Sequence, residues 1–209
     1  MEQILKRVIF LDVDGVLNSQ KFMHFKEGQT TRHFGVSPDG SEFGFWASMI
    51  DPKAVKILNK ITDLTGAELV LSSTWRKSFK MNVEMREFFN KIGVTGKMVG
   101  KTPTNPDEVR KVLAEKTELG WVDRVWRGHE IDCFLQQFYY SRRNWKTEFV
   151  ILDDDSDMAH LMDRLIQTRN DEGLTAHHVA KVCHAFGVPF SIFDHEDLLD
   201  DSPTDSAGE

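Results

Sequence analysis

Cysteine is scarce in this 209-residue chain: Cys133 and Cys183 are the only two. They lie far apart and form no metal-type spacing, so a disulfide framework is excluded as the organising principle. Two reduced, buried thiols in a cytoplasmic protein are the expectation. Long hydrophobic runs are missing too, and no apolar stretch approaches the roughly 18–20 residues that a membrane span requires. Residues 1–7 lead straight into a short apolar strand with no small-residue cleavage site, so no signal peptide is expected. No internal repeat is present. Nor is there a surplus of positive charge, since 26 Lys and Arg face 33 Asp and Glu, for a net −7. That excludes a nucleic-acid binder working through bulk positive charge, and leaves room only for a local basic patch. The acidity itself is local. Residues 194–209 hold seven acids and no Lys or Arg, leaving 26 acids against 26 bases over residues 1–193. Residues 1–193 therefore read as one domain, followed by an acidic, disordered tail over 194–209.

Three short apolar runs stand out: Val8-Ile9-Phe10-Leu11, Glu68-Leu69-Val70-Leu71 and Phe149-Val150-Ile151-Leu152. None alternates with polar residues, as expected of parallel strands covered by helices on both faces. Each ends abruptly, at Asp12, Ser72 and Asp153. Helical patterns separate them. Asp51 and Pro52 open one whose stripe is Ala54, Val55, Ile57, Leu58 and Ile61, closing near Gly66. Others are expected over 83–92, 107–118, 130–140, 156–165 and 175–186, with a last short strand over 189–193. The alternation predicts an open, mostly parallel α/β sheet. Such sheets bind ligands at the carboxyl ends of their strands, so the three polar strand ends should converge on one crevice. Residues 18–48 are irregular, with four Gly and many aromatics. They read as a flap or small cap insertion (18–50), or else as a β-hairpin packed on the body.

The strand ends carry the chemistry. Asp12-Val13-Asp14-Gly15-Val16 puts two carboxylates on the turn leaving a buried strand, where desolvation is costly without a compensating cation or donors. The pair suits a nucleophilic carboxylate and a general acid/base beside a hard cation. Calcium loops and plain turns use D-x-D-G as well. Ser72-Ser73-Thr74-Trp75-Arg76 offers hydroxyls, a helix start and a planar guanidinium for phosphate oxygens. Asp153-Asp154-Asp155-Ser156-Asp157 crowds four acids into five residues. Asp153 and Asp154 are expected to face a metal, and Asp155 and Asp157 to serve the following helix start.

Taken in order, a strand ending D-x-D-G-V, one ending in Ser and one ending D-D resemble the haloacid-dehalogenase-like (HAD) phosphohydrolases over residues 7–193. The resemblance rests on residues 10–17, 69–73 and 150–154. It implies a Rossmann-like, three-layer α/β/α fold, Mg²⁺ and an aspartyl-phosphate intermediate. Asp12 would be the nucleophile, and Asp14 the acid that protonates the leaving oxygen and later activates water. Ser72 would hold the phosphoryl group. Mg²⁺ would be held by Asp12, Asp14 through its backbone carbonyl, and Asp153 or Asp154. A dehalogenase is disfavoured by the second acid. The family also needs a cation between the second and third motifs; Arg127 is best placed and Lys101 is its rival. At subfamily level the chain is similar to small HAD domains of RNA-repair proteins and to polynucleotide 3′-phosphatases.

That similarity implies a phosphate ester on a nucleotide or nucleic-acid end. Ser73, Trp75 and Arg76 are the candidate substrate-binding residues. Trp75, Trp46 and the Phe-rich flap could stack on a base, and Arg76, Arg142, Arg143 and Lys146 could meet further phosphates. The sequence points to no membrane and to no protein partner. A second reading is a phosphate-recognising module of the same fold with little or no turnover; the pairing of Asp12 with Asp14 favours the enzyme, because a pure binder needs only one of them.

Overall fold

The computed structural model describes residues 3–29 and 42–191. The expected tail and residues 30–41 of the expected flap lie outside them. Five strands form the centre: β1 (Ile4–Leu11), β2 (Glu68–Leu71), β3 (Met98–Lys101), β4 (Trp145–Asp153) and β5 (Leu165–Gln167). Their order is β3-β2-β1-β4-β5 and every pairing is parallel. The helices are α1 (Gln20–Gln29), α2 (Glu42–Ser48), α3 (Pro52–Thr65), α4 (Asn82–Lys91), α5 (Pro106–Lys116), α6 (Arg127–Phe138) and α7 (Ala176–Ala185). Among the described residues, no helix is long and apolar enough to cross a membrane.

Alternate side chains of each strand divide the core in two. Ile9, Leu11, Leu69, Leu71, Val150 and Leu152 pack against α3, α4 and α7 on one face. Val8, Phe10, Val70 and Ile151 meet α6 on the other, where Phe10 stands edge-on to Phe134 and Phe149. α5 lies against α6 through Val109, Val112, Leu113 and Cys133. The result is a three-layer α/β/α fold. Cys133 and Cys183 are buried on opposite sides of the sheet, too separated to pair. α3 is closed as its sequence requires. The Asp51 carboxylate accepts from the Lys53 N–H at 2.8 Å, Pro52 opens the first turn, and Gly66 ends it at φ 65°. Arg7 of β1 donates to the carbonyls of Thr65 and Phe186, each at 3.1 Å, and so ties the ends of α3 and α7 to the sheet.

Several elements depart from the expectation. The sheet is wholly parallel, and β3 and β5 at its edges were not foreseen. β3 contains Gly100, whose missing side chain makes room for the Phe134 ring of α6. The helix expected over 156–165 is replaced by an irregular turn, a 3-10 segment (Ala159–Arg164) and β5. The reason is steric. Met158 is fully buried and its carbonyl presses onto Gly128 of α6, where a Cβ would overlap it, so the chain enters the 3-10 segment through Ala159 at φ 50°. Residues 189–191 form no strand, and 192–193 lie outside the described residues. Within the flap, the described parts are the helices α1 and α2 rather than strands. The Ser19 hydroxyl accepts from the Phe22 N–H and so caps α1.

At the amino edge of the sheet Glu68 binds Lys6, Lys97 and the Tyr139 hydroxyl at 3.3, 2.8 and 3.1 Å. Burial alone would raise its pKa, but the bonds from Lys97 and Tyr139 and the charge of Lys6 outweigh burial and hold it below the usual value. A depressed pKa stabilises the fold above the unfolded value, and that stability is lost as pH falls through the folded one. Glu68→Gln is therefore expected to lower unfolding free energy by on the order of 1 kcal/mol at neutral pH. The gap from the native chain should narrow in urea melts as pH falls below the ordinary glutamate range, where Glu68 takes up its proton. A gap that stays constant with pH would contradict the linkage.

Candidate active site

The parallel ladder continues one residue past each strand. Thr102 N–H donates to the Leu71 carbonyl, Ser72 to Leu11, Asp12 to Leu152 and Thr168 to Asp153, at 2.8–3.0 Å. Four residues thus stand side by side along the carboxyl edge, in the order Thr102, Ser72, Asp12, Asp153, and Thr168 follows one place further on, just past Gln167, the β5 partner of Asp153. All five are buried without being apolar, Asp12 and Thr168 being 4% exposed and the others 0–1%. Several of their polar atoms lack a hydrogen-bond partner in the protein: Ser72 Oγ, Thr102 Oγ1 and Asp153 Oδ2. Such groups are rare in a folded interior and point to a role outside the fold itself.

Arg127 opens α6 and reaches into this row. Its Nη1 lies 3.1 Å from Asp12 Oδ1 and 3.9 Å from Asp153 Oδ2. It is placed there because Gly128, the next residue, lets the 157–158 backbone close over the helix start. Burial works against the Arg127 charge, but Asp12, Asp153 and Asp157 outweigh burial and raise its pKa. The rival cation is committed elsewhere. Lys101 Nζ donates to the carbonyls of Arg76, at 3.1 Å, and of Phe79.

Oxygens of Asp12, Asp153 and Asp154 come within 4.8 Å of one another. Burial pushes the Asp12 carboxyl up to about 6, against the pull of Arg127 and a hydrogen bond from Ser73. Burial, with the Asp12 charge behind it, pushes Asp153 up to about 8. Burial raises Asp154 as well. With all three carboxyls ionised, the guanidinium would leave a net charge of −2 in a desolvated corner that also holds an unbonded Asp153 oxygen, which is why burial favours their neutral forms until a cation is present. A hard divalent cation with oxygen ligands fits this donor set.

Gly15 makes the corner possible. It sits at φ 68°, and a Cβ there would overlap the Asp154 carboxylate. Thr168 Oγ1 donates to the Gly15 carbonyl at 2.7 Å and fixes the loop from behind.

The second acid of the D-x-D pair stands outside the cluster of three carboxyls, though its charge is felt by Asp12 and Asp154. Asp14 is exposed, and its carboxylate accepts from Trp75 Nε1 at 3.1 Å to both oxygens and from Asn18 Nδ2 at 2.9 Å. Asn18 in turn accepts from the Gly15 N–H. Trp75 itself is buried, with its ring set against Trp46 and Phe88. Arg76 is buried too. It donates to the Ser73 carbonyl at 2.7 Å and to Glu130 Oε2 at 2.6 Å, and Ser73 Oγ caps the turn by accepting from the Trp75 N–H. Arg142, Arg143 and Lys146 lie at the start of β4, the amino edge, where Arg142 packs over Trp145. The strand puts Lys146 roughly 23 Å from Asp153, and Arg142 and Arg143 beyond it, so they stand apart from the reacting phosphate and could meet only phosphates further along a chain.

Sequence reasoning missed Glu130 as the partner of Arg76, and Asn18, Thr102 and Thr168 as parts of the row and its supports. Glu130 sits three residues after Arg127, on the same helical face, which was the available signal. Thr102 and Thr168 follow the two strands that the sequence hid.

Compared with protein-family models, residues 8–179 match one described as the HAD domain in Swiss Army Knife RNA repair proteins. Neither curated proteins nor solved structures give a match.

Above about pH 8, where Asp153 is ionised, Asp153→Asn removes one buried charge and keeps an oxygen for the 3.0 Å bond from the Asp155 N–H. The metal-free melting temperature is expected to rise by about 2–4 °C. Millimolar Mg²⁺, which should raise the melting temperature of the native chain, should leave the variant unmoved. A variant that is destabilised and still stabilised by Mg²⁺ would remove Asp153 from the cation site.

Proposed function

The chain belongs to the family of HAD domains in Swiss Army Knife RNA repair proteins, and from that premise we propose that it is a phosphomonoesterase with Asp12 as nucleophile. The substrate is a phosphate monoester on a nucleotide or nucleic-acid end. One observation carries the reading: a buried carboxylate, Asp12, stands between a guanidinium 3.1 Å away and two further carboxylates. That arrangement is wasteful for stability alone, since a buried ion pair rarely repays its desolvation. For phosphoryl transfer it supplies both a nucleophile and preplaced opposite charge.

In this scheme Asp12 forms a bond to phosphorus as the ester oxygen departs. Asp14 gives that oxygen its proton, then takes one from the water that releases phosphate from Asp12. The proton it gives in the first step is replaced by the one it takes from water in the second, so the acid is restored at the end of the cycle. Arg127 and the unpartnered Ser72 hydroxyl hold the equatorial oxygens. Arg76 and Ser73 act one step back, through Glu130 and the turn that carries Trp75. Asp12, Asp153 or Asp154 and the Asp14 carbonyl hold Mg²⁺, which neutralises charge on the phosphoryl group when bound. The residues 18–50 serve as flap or cap over a domain spanning 1–193. Two separate buried thiols suit a reducing, cytoplasmic setting.

With Mg²⁺, phosphate release is expected from nucleoside 3′- or 5′-monophosphates or from 3′-phosphorylated oligonucleotides. Asp12→Asn should abolish it. Arg127→Lys keeps a charge but loses the planar contact, and should lower kcat about 10²–10³-fold. A broad panel of phosphate esters without turnover would overturn the enzyme and favour the phosphate-binding module.

A further inference from the structure

We infer that the groove between α2 and α4 receives the nucleobase of the leaving group, so that base stacking selects the substrate. The inference rests on the reading of Asp14 as the acid that protonates the leaving oxygen. The groove encloses about 320 Å³ and is walled by Phe43, Trp46, Trp75, Phe79 and Phe88. That volume lies at the small end of ligand sites and suits one nucleoside-sized group.

Trp75 connects the groove to the chemistry. Its ring forms part of the wall, while its Nε1 bonds both oxygens of Asp14. The acid and the groove are therefore on two edges of one indole. A leaving group whose oxygen meets Asp14 has its remaining atoms beside that indole. The wall is built for flat rings. Trp46 and Trp75 meet at 4.7 Å and 66°, Phe43 and Phe88 at 5.5 Å and 69°, so ring faces and edges are already presented at an angle. Phe43 is 36% exposed and Trp46 half-buried, which leaves stacking surface open to a ligand.

Charge argues for the base and against the phosphate backbone as occupant. Three acids, Glu42, Glu84 and Glu87, line the groove against Lys80 and Lys91. Lys91 is turned over the Phe43 ring, 5.3 Å from its centroid. A polyanion gains nothing from such a lining, whereas an uncharged ring loses nothing. Every base has a π-face, so the groove is tolerant of base identity.

The test is direct binding to the full chain by calorimetry and by tryptophan fluorescence, with adenosine, uridine and ribose as probes. Both nucleosides are expected to bind and to quench emission, and ribose to do neither. Phe43→Ala should weaken nucleoside binding about 10-fold, and Phe43→Tyr should restore it. Because Phe43 is at the surface, both variants should melt close to the native chain. Nucleosides that fail to bind the native chain, or bind Phe43→Ala equally well, overturn the inference. Ribose binding as tightly as nucleosides does so too. The probes carry no phosphate, so the two readings fail separately. Binding without phosphate release removes the phosphatase, and phosphate release without nucleoside binding removes the groove.

Discussion

A backbone hydrogen bond repeated across four strand junctions sets the position of every group in the candidate site. Thr102, Ser72, Asp12 and Thr168, each just beyond its strand, donate their N–H groups to carbonyls at the end of the neighbouring strand, so that with Asp153 they share one edge. Parallel strands alone allow this, because all their carboxyl ends face the same way. The apolar runs behind the row make it rigid. Leu11, Leu71 and Leu152 are aligned in register and fully buried immediately before the polar residues begin.

Behind this edge, burial and charge oppose each other. Asp12 and Asp153 are pushed toward their neutral forms by burial, while Arg127 favours the ionised form of both. A second pair, Arg76 with Glu130, lies beside them and is closed on itself at 2.6 Å. Its burial depresses the Arg76 pKa and raises that of Glu130, yet the ions keep each other charged. The two pairs differ in what remains unsatisfied. The Arg76–Glu130 pair leaves a donor, Arg76 Nε, without a partner, whereas the Arg127 side leaves an acceptor, an Asp153 oxygen, beside surplus carboxyl groups. Only the second is arranged to take another ion.

β1, β2 and β4 were legible because each is a continuous apolar run cut off by an acid or a hydroxyl, and α3 to α7 because their stripes and caps agree; α1 and α2 were read as irregular, and the helix expected over 156–165 does not form. The edge strands were not. Met98–Lys101 is short and interrupted by Gly100, and Leu165–Gln167 is three residues long, so neither carries a pattern of its own. Both form because a ladder is already present to receive them. The site was legible in its residue types and less so in their orientation. Asp14 could be named from D-x-D-G, but that its carboxylate rests on the Trp75 indole depends on packing among residues far apart in the chain. Arg76 likewise read as a substrate-binding guanidinium, whereas packing sets it against Glu130, 54 residues later.

The contact between Gly15 and Asp154 couples two segments that the chain itself keeps far apart. Since the Asp154 carboxylate occupies the space of a side chain at position 15, the loop leaving β1 and the loop leaving β4 move as one part. A larger residue at 15 would dislodge an acid encoded at the other end of the domain. The two positions therefore constrain each other's evolution: Asp154 keeps its place only in descendants that retain glycine at 15, and the first motif cannot drift without carrying the third along.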